Sequence, residues 1–173
     1  MGVTDDPIDR LIEQWRRERP DLDAAPMALF ARLFRAAHAA DRAVERGLAA
    51  QGLQPGWFDV LSALRRSGDP YRLSAGRLTA AVMLSTGGMT KRLDRMAAAG
   101  LLRRTPDPED RRGVLVELTA EGLRTVDRAV DGHVAAEAAL LTGLTDGDRT
   151  RLETLLTRLD RSIREATAPA PRP

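Results

Sequence analysis

The feature that most constrains this chain is a change of hydrophobic period near residue 100. From Ser74 to Gly100, apolar residues recur at three- and four-residue steps, as in an amphipathic helix. This spacing ends after Gly100, and residues 101–105 and 114–118 instead fit the two-residue period of a strand. The chain must therefore place two short helices directly beside a β-hairpin.

The stretch from Ser74 to Gly100 is predicted to form two short helices joined by a tight turn. Ser74 suits the N-cap of the first helix, because its side-chain oxygen can accept a hydrogen bond from a backbone N–H of the first turn. The pattern breaks at residues 83–85, where Ser85 can cap a second helix that Gly100 closes. The inward face of that helix is predicted to carry Met89, Leu93, Met96 and Ala97.

The opposite face of the second helix is polar, and it carries Thr86, Gly87, Thr90, Lys91 and Asp94. Gly87 and its neighbour would each weaken an ordinary helix by about 1 kcal/mol relative to alanine. A first turn that approaches a nucleic-acid backbone closely would account for them. Hydroxyls and a lysine near a helix N-terminus suit phosphate and base-edge contacts. The plainer alternative is an amphipathic helix pair with a solvated face.

The local charge favours the nucleic-acid interpretation. Residues 74–104 contain six cations and one anion, a net charge of +5, whereas the whole chain has a net charge of only +2. The rest of the chain must then carry −3, so the modest total hides a basic patch. A local excess of positive charge is the electrostatic signature of a DNA-binding surface.

Composition excludes several functional classes. The chain has 173 residues, enough for one domain with a hydrophobic core, and it contains no cysteine, which excludes disulfides, thiol redox sensing and thiolate metal sites. His38 and His133 have no ligand-type spacing, and no nucleotide-binding or hydrolase motif occurs. No apolar run reaches the length of a membrane span. We expect a soluble, cytoplasmic protein without cofactor, metal or enzymatic activity.

The remaining segments are predicted to form helices and a disordered tail. Asp6-Pro7 starts a helix, a longer helix follows from Pro26, and Pro55 is expected to open a third, in which Phe58, Leu61 and Leu64 point inward. Thr119 caps a long helix, and Thr145 with Asp148 resembles a capping box before the last one. The predicted divisions are residues 1–54, N-terminal helices; 55–118, a DNA-binding lobe; 119–167, C-terminal dimerisation helices; and 168–173, a disordered tail.

The hairpin is predicted to have a long charged tip between residues 106 and 113. A hairpin directly after the second helix of a helix-turn-helix forms a wing, and arginines at its tip can enter the minor groove, whose negative potential attracts them. Arg111 and Arg112 fit this role, and Asp110 can hold Arg112 through a charge-assisted hydrogen bond. The alternative is a solvated loop.

These elements together resemble the MarR family of winged helix-turn-helix transcriptional regulators. The resemblance covers residues 56–121, and its most specific parts are 89–96 (MTKRLDRM), 99–102 (AGLL), 107–112 (DPEDRR) and 116–119 (VELT). It implies a mainly α fold with a small β-hairpin wing and N- and C-terminal dimerisation helices. It also implies a homodimer on a pseudopalindromic operator in double-stranded DNA, with recognition helices in successive major grooves about 34–36 Å apart. Most such proteins repress until a small ligand, such as a phenolic acid, releases them. The predicted DNA-binding residues are Ser85, Thr86, Gly87, Thr90, Lys91, Arg95, Asp110, Arg111 and Arg112.

A narrower resemblance points to the urate-responsive branch of that family, in which an added N-terminal helix helps to line a ligand pocket. Trp15, Asp59 and Arg92 match the Trp, Asp and Arg of that pocket, but an Asn of the branch is replaced by Ser67. Independently, Arg92 lies on the inward flank of its helix, where a half-buried charge needs a partner, and Asp59 is a candidate. A structural ion pair, with Trp15 as a core anchor, is the alternative to a sensor of urate or a related purine.

A different class of function also fits the basic patch. A winged-helix module can bind an acidic protein partner instead of DNA. The sequence alone leaves both open, although the specific motifs favour DNA.

Overall fold

The computed structural model describes residues 6–82, 86–108, 110 and 113–168. It is mainly helical with one small antiparallel sheet, which confirms the predicted fold class. Within these residues no helix is long and apolar enough to cross a lipid bilayer. The elements are α1 (Pro7–Glu18), α2 (Ala25–Ala50), α3 (Trp57–Arg66), β1 (Arg72–Ser74), α4 (Ala75–Ala81), α5 (Thr86–Ala98), β2 (Leu102–Pro106), β3 (Val114–Leu118), α6 (Ala120–Leu140) and α7 (Asp146–Thr167).

The predicted helix starts are confirmed wherever a side chain provides the cap. The side chains of Asp6, Ser74 and Thr119 each accept a backbone N–H of the first turn of α1, α4 and α6 respectively. Thr145 and Asp148 form a reciprocal capping box at α7. The predicted cap Ser85 lies outside the described residues.

The start of α3 was predicted two residues too early. Pro55 lies before the helix, and Gly56 is its N-cap with a φ of 73°, a left-handed conformation that cannot continue a helix. Glycine adopts this conformation without the strain that a Cβ would cause. The expected inward residues Leu61 and Leu64 are buried, whereas Phe58 is only half-buried.

The sheet has three strands in the order β1-β3-β2 rather than the two of a simple hairpin. The predicted hairpin is confirmed, with Arg104 opposite Val116 in the β2–β3 register. The other edge of β3 pairs with β1, where Leu73 is opposite Val116. The sequence predicted an extended piece at residues 71–73 but not its pairing, because that depends on a strand about 40 residues later.

One hydrophobic core lies under α3, α4, α5, the sheet and the first half of α6. Its fully buried side chains are Val60, Leu61, Leu64, Leu78, Met96, Val116 and Val126. A smaller cluster of Ile8, Ile12 and Ala24 joins α1 to the start of α2. Arg35 of α2 also donates to Asp6 at 2.6 Å, and this contact holds the pKa of the Asp6 carboxyl well below its usual range. The core therefore lies mainly among the elements from α3 to α6, while α1 and the start of α2 form a separate arm.

A tight junction connects the end of α5 to the start of α6. The Thr119 hydroxyl donates to the carbonyl of Gly100 at 2.6 Å, and the Thr119 N–H donates to the carbonyl of Leu101 at 3.1 Å. A Cβ placed on Gly122 would lie 1.9 Å from that Leu101 oxygen. Only glycine lets α6 begin this close to the backbone that follows α5.

We expect Gly122→Ala to destabilise the protein by about 3 kcal/mol, because the new methyl must displace backbone rather than a side chain. Thermal unfolding followed by circular dichroism measures the loss. Gly76→Ala is the control, since a Cβ on Gly76 meets nothing within 4 Å and alanine favours the helix. If both variants unfolded at the same temperature, the close contact between Gly122 and the Leu101 carbonyl would not contribute to stability.

Candidate nucleic-acid interface and ligand cavities

Helix α5 has a buried face and an exposed face, as predicted. Met89, Leu93 and Met96 are 3%, 2% and 0% exposed and anchor the helix in the core. On the other side Thr90, Lys91 and Arg95 are all exposed. Thr86 and Gly87 form the first turn of α5. The geometry therefore presents Thr90, Lys91 and Arg95, three of the predicted contact residues, on the exposed side of α5.

Two of the six cations counted in the basic patch are neutralised. Arg103 forms a salt bridge across the sheet with Glu117, whose side chain is only 13% exposed. Arg104 donates to the Asp94 carboxylate at 2.6 Å and to the Thr90 carbonyl at 3.2 Å. Within the described ranges no salt bridge involves Arg77, Lys91 or Arg95. The accessible positive charge is thus concentrated on the two helices and not on β2.

Two backbone hydrogen bonds connect the two sides of the hairpin loop. Asp107 N–H donates to the Gly113 carbonyl at 3.0 Å, and Gly113 N–H donates to the Asp110 carbonyl at 2.8 Å. Asp110 is exposed. Arg111 and Arg112 lie outside the described residues, as does the suggested contact between Asp110 and Arg112. Their roles at the wing tip remain predictions.

A cavity of about 950 Å³ opens between α4, α5 and the hairpin. Apolar groups dominate its walls, among them Met89, Leu93, Pro106 and Val114, and Arg104 is the one charged residue among the described residues that line it. No pattern in the sequence predicted this cavity. Its only trace in the sequence is the run of small residues in α4, whose short side chains leave the space unfilled.

Two further cavities flank the start of α3. One, of about 430 Å³, lies between α2, α3 and α6 and is lined by Asp59, Phe58 and His133 among others. The other, of about 360 Å³, is lined by Lys91, Arg92 and Arg95. They share Gln54 and Pro55. The Arg92 guanidinium is also so close to Gly56 that a Cβ there would lie 2.7 Å from its central carbon.

The structure brings only part of the predicted ligand site together. Asp59 and Arg92 line neighbouring cavities, but no salt bridge joins these two described side chains, so the suggested ion pair is not found. Trp15 is 39% exposed on α1, is not a core anchor and lines neither cavity. Ser67 ends α3, and its hydroxyl donates to the Leu64 carbonyl at 2.7 Å. Ser67 is a helix cap at the far end of α3 from Asp59.

His133 was not singled out as a site residue by the sequence. Its ring packs at a tilt against Phe58 with centroids 4.4 Å apart, and Nε2 lies 3.3 Å from Glu137. Its Nδ1 is buried and has no hydrogen-bond partner among the described residues. Because α6 reaches this cavity only through tertiary packing, no local pattern could have placed His133 beside Asp59.

Comparison with known proteins gives one consistent result. A model of the MarR family matches residues 51–113, which run from just before α3 to the end of the hairpin loop, short of β3. The HTH-type transcriptional regulator PecS of Dickeya dadantii is 38% identical over 156 residues, covering 90% of this chain and 94% of PecS. The similarity therefore includes the helices outside the lobe.

Solved structures share the fold. That of Sco3205, a MarR family regulator from Streptomyces coelicolor in complex with DNA, superposes with a TM-score of 0.73 at 24% identity, covering 87% of this chain and 93% of the other. That of Bordetella bronchiseptica BpsR, reported for the regulation of its DNA binding by 6-hydroxynicotinic acid, gives a TM-score of 0.66 at 26% identity, covering 76% of this chain and 98% of the other. The chain belongs to the MarR family of winged helix-turn-helix, DNA-binding transcriptional regulators.

Proposed function

We propose that the protein is a homodimeric repressor that binds a pseudopalindromic operator and leaves it when a small anionic or aromatic ligand binds. The observation that carries the proposal is the exposed face of α5, where Lys91 and Arg95 stand free of salt bridges among the described residues. A dimer bound over a promoter would exclude polymerase, which makes repression the simplest outcome. Membership of a family of DNA-binding regulators favours DNA over an acidic protein as the partner.

The proposed DNA contacts follow from the placement of α5. A major groove admits one α-helix, and side chains on its outer face then reach base edges. Thr90, Lys91 and Arg95 supply this face. Ser85, Thr86 and Gly87 at the N-terminus are proposed to meet the phosphate backbone, where helix N–H groups favour anions. Arg111 and Arg112, with Asp110, are proposed to reach the minor groove.

The proposed dimer follows from α7. This helix has 22 residues but buries none of them against its own chain. Leu152, Leu155, Leu156 and Ile163 are each more than 40% exposed along one stripe. On α1 and α2, Leu11, Leu29, Phe30 and Phe34 are also exposed. An apolar stripe of this length is stable only when it is covered, and a second copy has the same stripe to offer.

A twofold axis between the C-terminal helices would present two α5 helices to the same side of a duplex. Successive major grooves on one side are about 34–36 Å apart, and a pseudopalindrome repeats its half-sites at that spacing. The dimer would therefore set the distance between the two α5 helices, and each α5 would read the sequence of one half-site. Operator affinity should depend on the half-site spacing and on the half-site sequence.

The proposed ligand site is the pair of cavities at the start of α3. Their volumes of about 430 and 360 Å³ suit a small ring compound. Arg92 offers a cation, and Asp59 accepts hydrogen bonds from a ring N–H, which fits urate, a related purine or an aromatic acid. A ligand held by Arg92 would bias the position of α5, provided it binds the DNA-free conformation more tightly. A single chain does not bring Trp15 or Ser67 to these cavities.

Replacing Lys91 tests base reading. We expect Lys91→Ala to weaken binding to a duplex from the protein's own upstream region by about 1–3 kcal/mol, with less loss on an unrelated duplex. Fluorescence anisotropy measures both affinities. Arg158→Ala removes the same charge from an exposed position of α7 and should change neither. An equal loss on both duplexes would assign Lys91 to phosphate instead.

Replacing Leu155 tests the dimer. Leu155→Glu should shift the mass measured by analytical ultracentrifugation from dimer to monomer at micromolar concentration and abolish operator binding, because a carboxylate cannot be buried unpaired. Thr154→Glu is the matched control, since the preceding residue points away from the apolar stripe. A wild-type protein that sediments as a monomer would contradict the proposal.

Titration of the operator complex tests the ligand. Urate, xanthine or 6-hydroxynicotinate is expected to release the wild-type protein, and Asp59→Asn should raise the required concentration about tenfold with operator affinity unchanged. Ser67→Ala should behave like wild type, because its hydroxyl is used by the backbone of α3. Retention of the complex with every compound at millimolar concentration would rule out a site of this chemistry.

A further inference from the structure

We propose that Arg104 is a positioning residue for DNA recognition: it fixes α5 against the wing and does not itself contact DNA. The inference rests on the proposed DNA binding by α5. It differs from the phosphate-binding role that the position and charge of Arg104 suggest. A cation on the strand after the recognition helix would ordinarily be counted as a phosphate contact. Its hydrogen bonds point instead into the protein.

The guanidinium of Arg104 joins two successive turns of α5 to β2. Nη1 donates to Oδ1 of Asp94 at 2.6 Å, and Nη2 donates to the carbonyl of Thr90 at 3.2 Å. Thr90 and Asp94 are four residues apart and so lie on one side of the helix. A planar guanidinium with two donors engaged fixes a direction as well as a distance, which a lysine could not do.

The side of α5 that Arg104 contacts borders a cavity. The buried face formed by Met89, Leu93 and Met96 anchors the helix from below. The side that faces α4 and the hairpin borders the cavity of about 950 Å³, and Arg104 lies in its wall. Met89 and Leu93 also line this cavity, so packing and the Arg104 bridge restrain the same side of α5, and the bridge adds directional bonds. The Arg104 bridge spans the gap.

The presence of Asp94 supports the same role. An exposed carboxylate on a helix that approaches phosphates would repel them, and its side chain is 58% exposed. Pairing with Arg104 gives Asp94 a function that offsets this repulsion. On this account Asp94 is an anchor point on α5.

Arg103 provides a matched control. It is the neighbouring residue on β2, it also carries one charge, and it also forms a salt bridge, but its partner Glu117 is opposite it on β3. Its contact therefore stays within the sheet and does not reach α5. The variants Arg104→Met and Arg103→Met remove the same charge from adjacent positions.

The first experiment measures the affinity of both variants for the upstream duplex and an unrelated duplex over a range of NaCl concentrations. We expect Arg104→Met to lower specific affinity about tenfold relative to Arg103→Met, the scale of losing a hydrogen-bonded charge. The slope of log affinity against log salt should be the same for both variants. A slope smaller by about 0.9 for Arg104→Met alone would mean a lost phosphate contact and would overturn the proposal.

The second experiment uses Asp94→Asn, which also covers the case in which Arg104→Met does not fold. Electrostatics alone predicts tighter DNA binding when an anion is removed from this surface. The positioning role predicts weaker specific binding, with the double variant no weaker than Arg104→Met. Equal or tighter binding by Asp94→Asn would refute the role. Failure of the wild-type protein to bind DNA would instead refute the proposed function.

Discussion

The DNA-binding lobe depends on the burial of one face of α5. Met89, Leu93 and Met96 insert into the core formed by α3, the sheet and α6, and this fixes which side chains of α5 remain outside. With a helical period of 3.6 residues, the exposed positions are then determined, and they include Thr90, Lys91 and Arg95. The DNA-recognition residues and the core residues thus lie on opposite faces of the same helix. A substitution on the buried face is therefore expected to change the position of the recognition residues as well.

Polar contacts also connect α5 to its neighbours, at its C-terminal end and near its middle. Thr119 ties the end of α5 to the start of α6 through the carbonyls of Gly100 and Leu101. Arg104 ties the middle of α5 to β2. These contacts bracket a helix whose first turn contains two glycines and borders a large cavity. The orientation of α5 therefore depends on directional bonds as well as on the burial of its apolar face.

The helices outside the DNA-binding lobe leave much of their apolar surface exposed. In the lobe apolar residues are buried within the chain, whereas in α7 and on much of α2 they remain exposed. Side-chain caps at Asp6 and Thr145 begin α1 and α7, so these exposed helices have defined starts. Their missing partner surface is what a twofold dimer would provide, and it would couple ligand binding near α2 and α6 to the spacing of the two α5 helices.

Local sequence determined the helices, their caps, the hairpin and the two faces of α5, because hydrophobic period and capping act over a few residues. It also gave the family motifs. Only the tertiary structure decided the pairing of β1 with β3, the neutralisation of Arg103 and Arg104, and the separation of Trp15 and Ser67 from the cavities beside Asp59 and Arg92. Each of these depends on which residues meet across long stretches of chain. A charge count or a periodic pattern cannot contain that information, because a side chain's partner is chosen by the packing of whole elements.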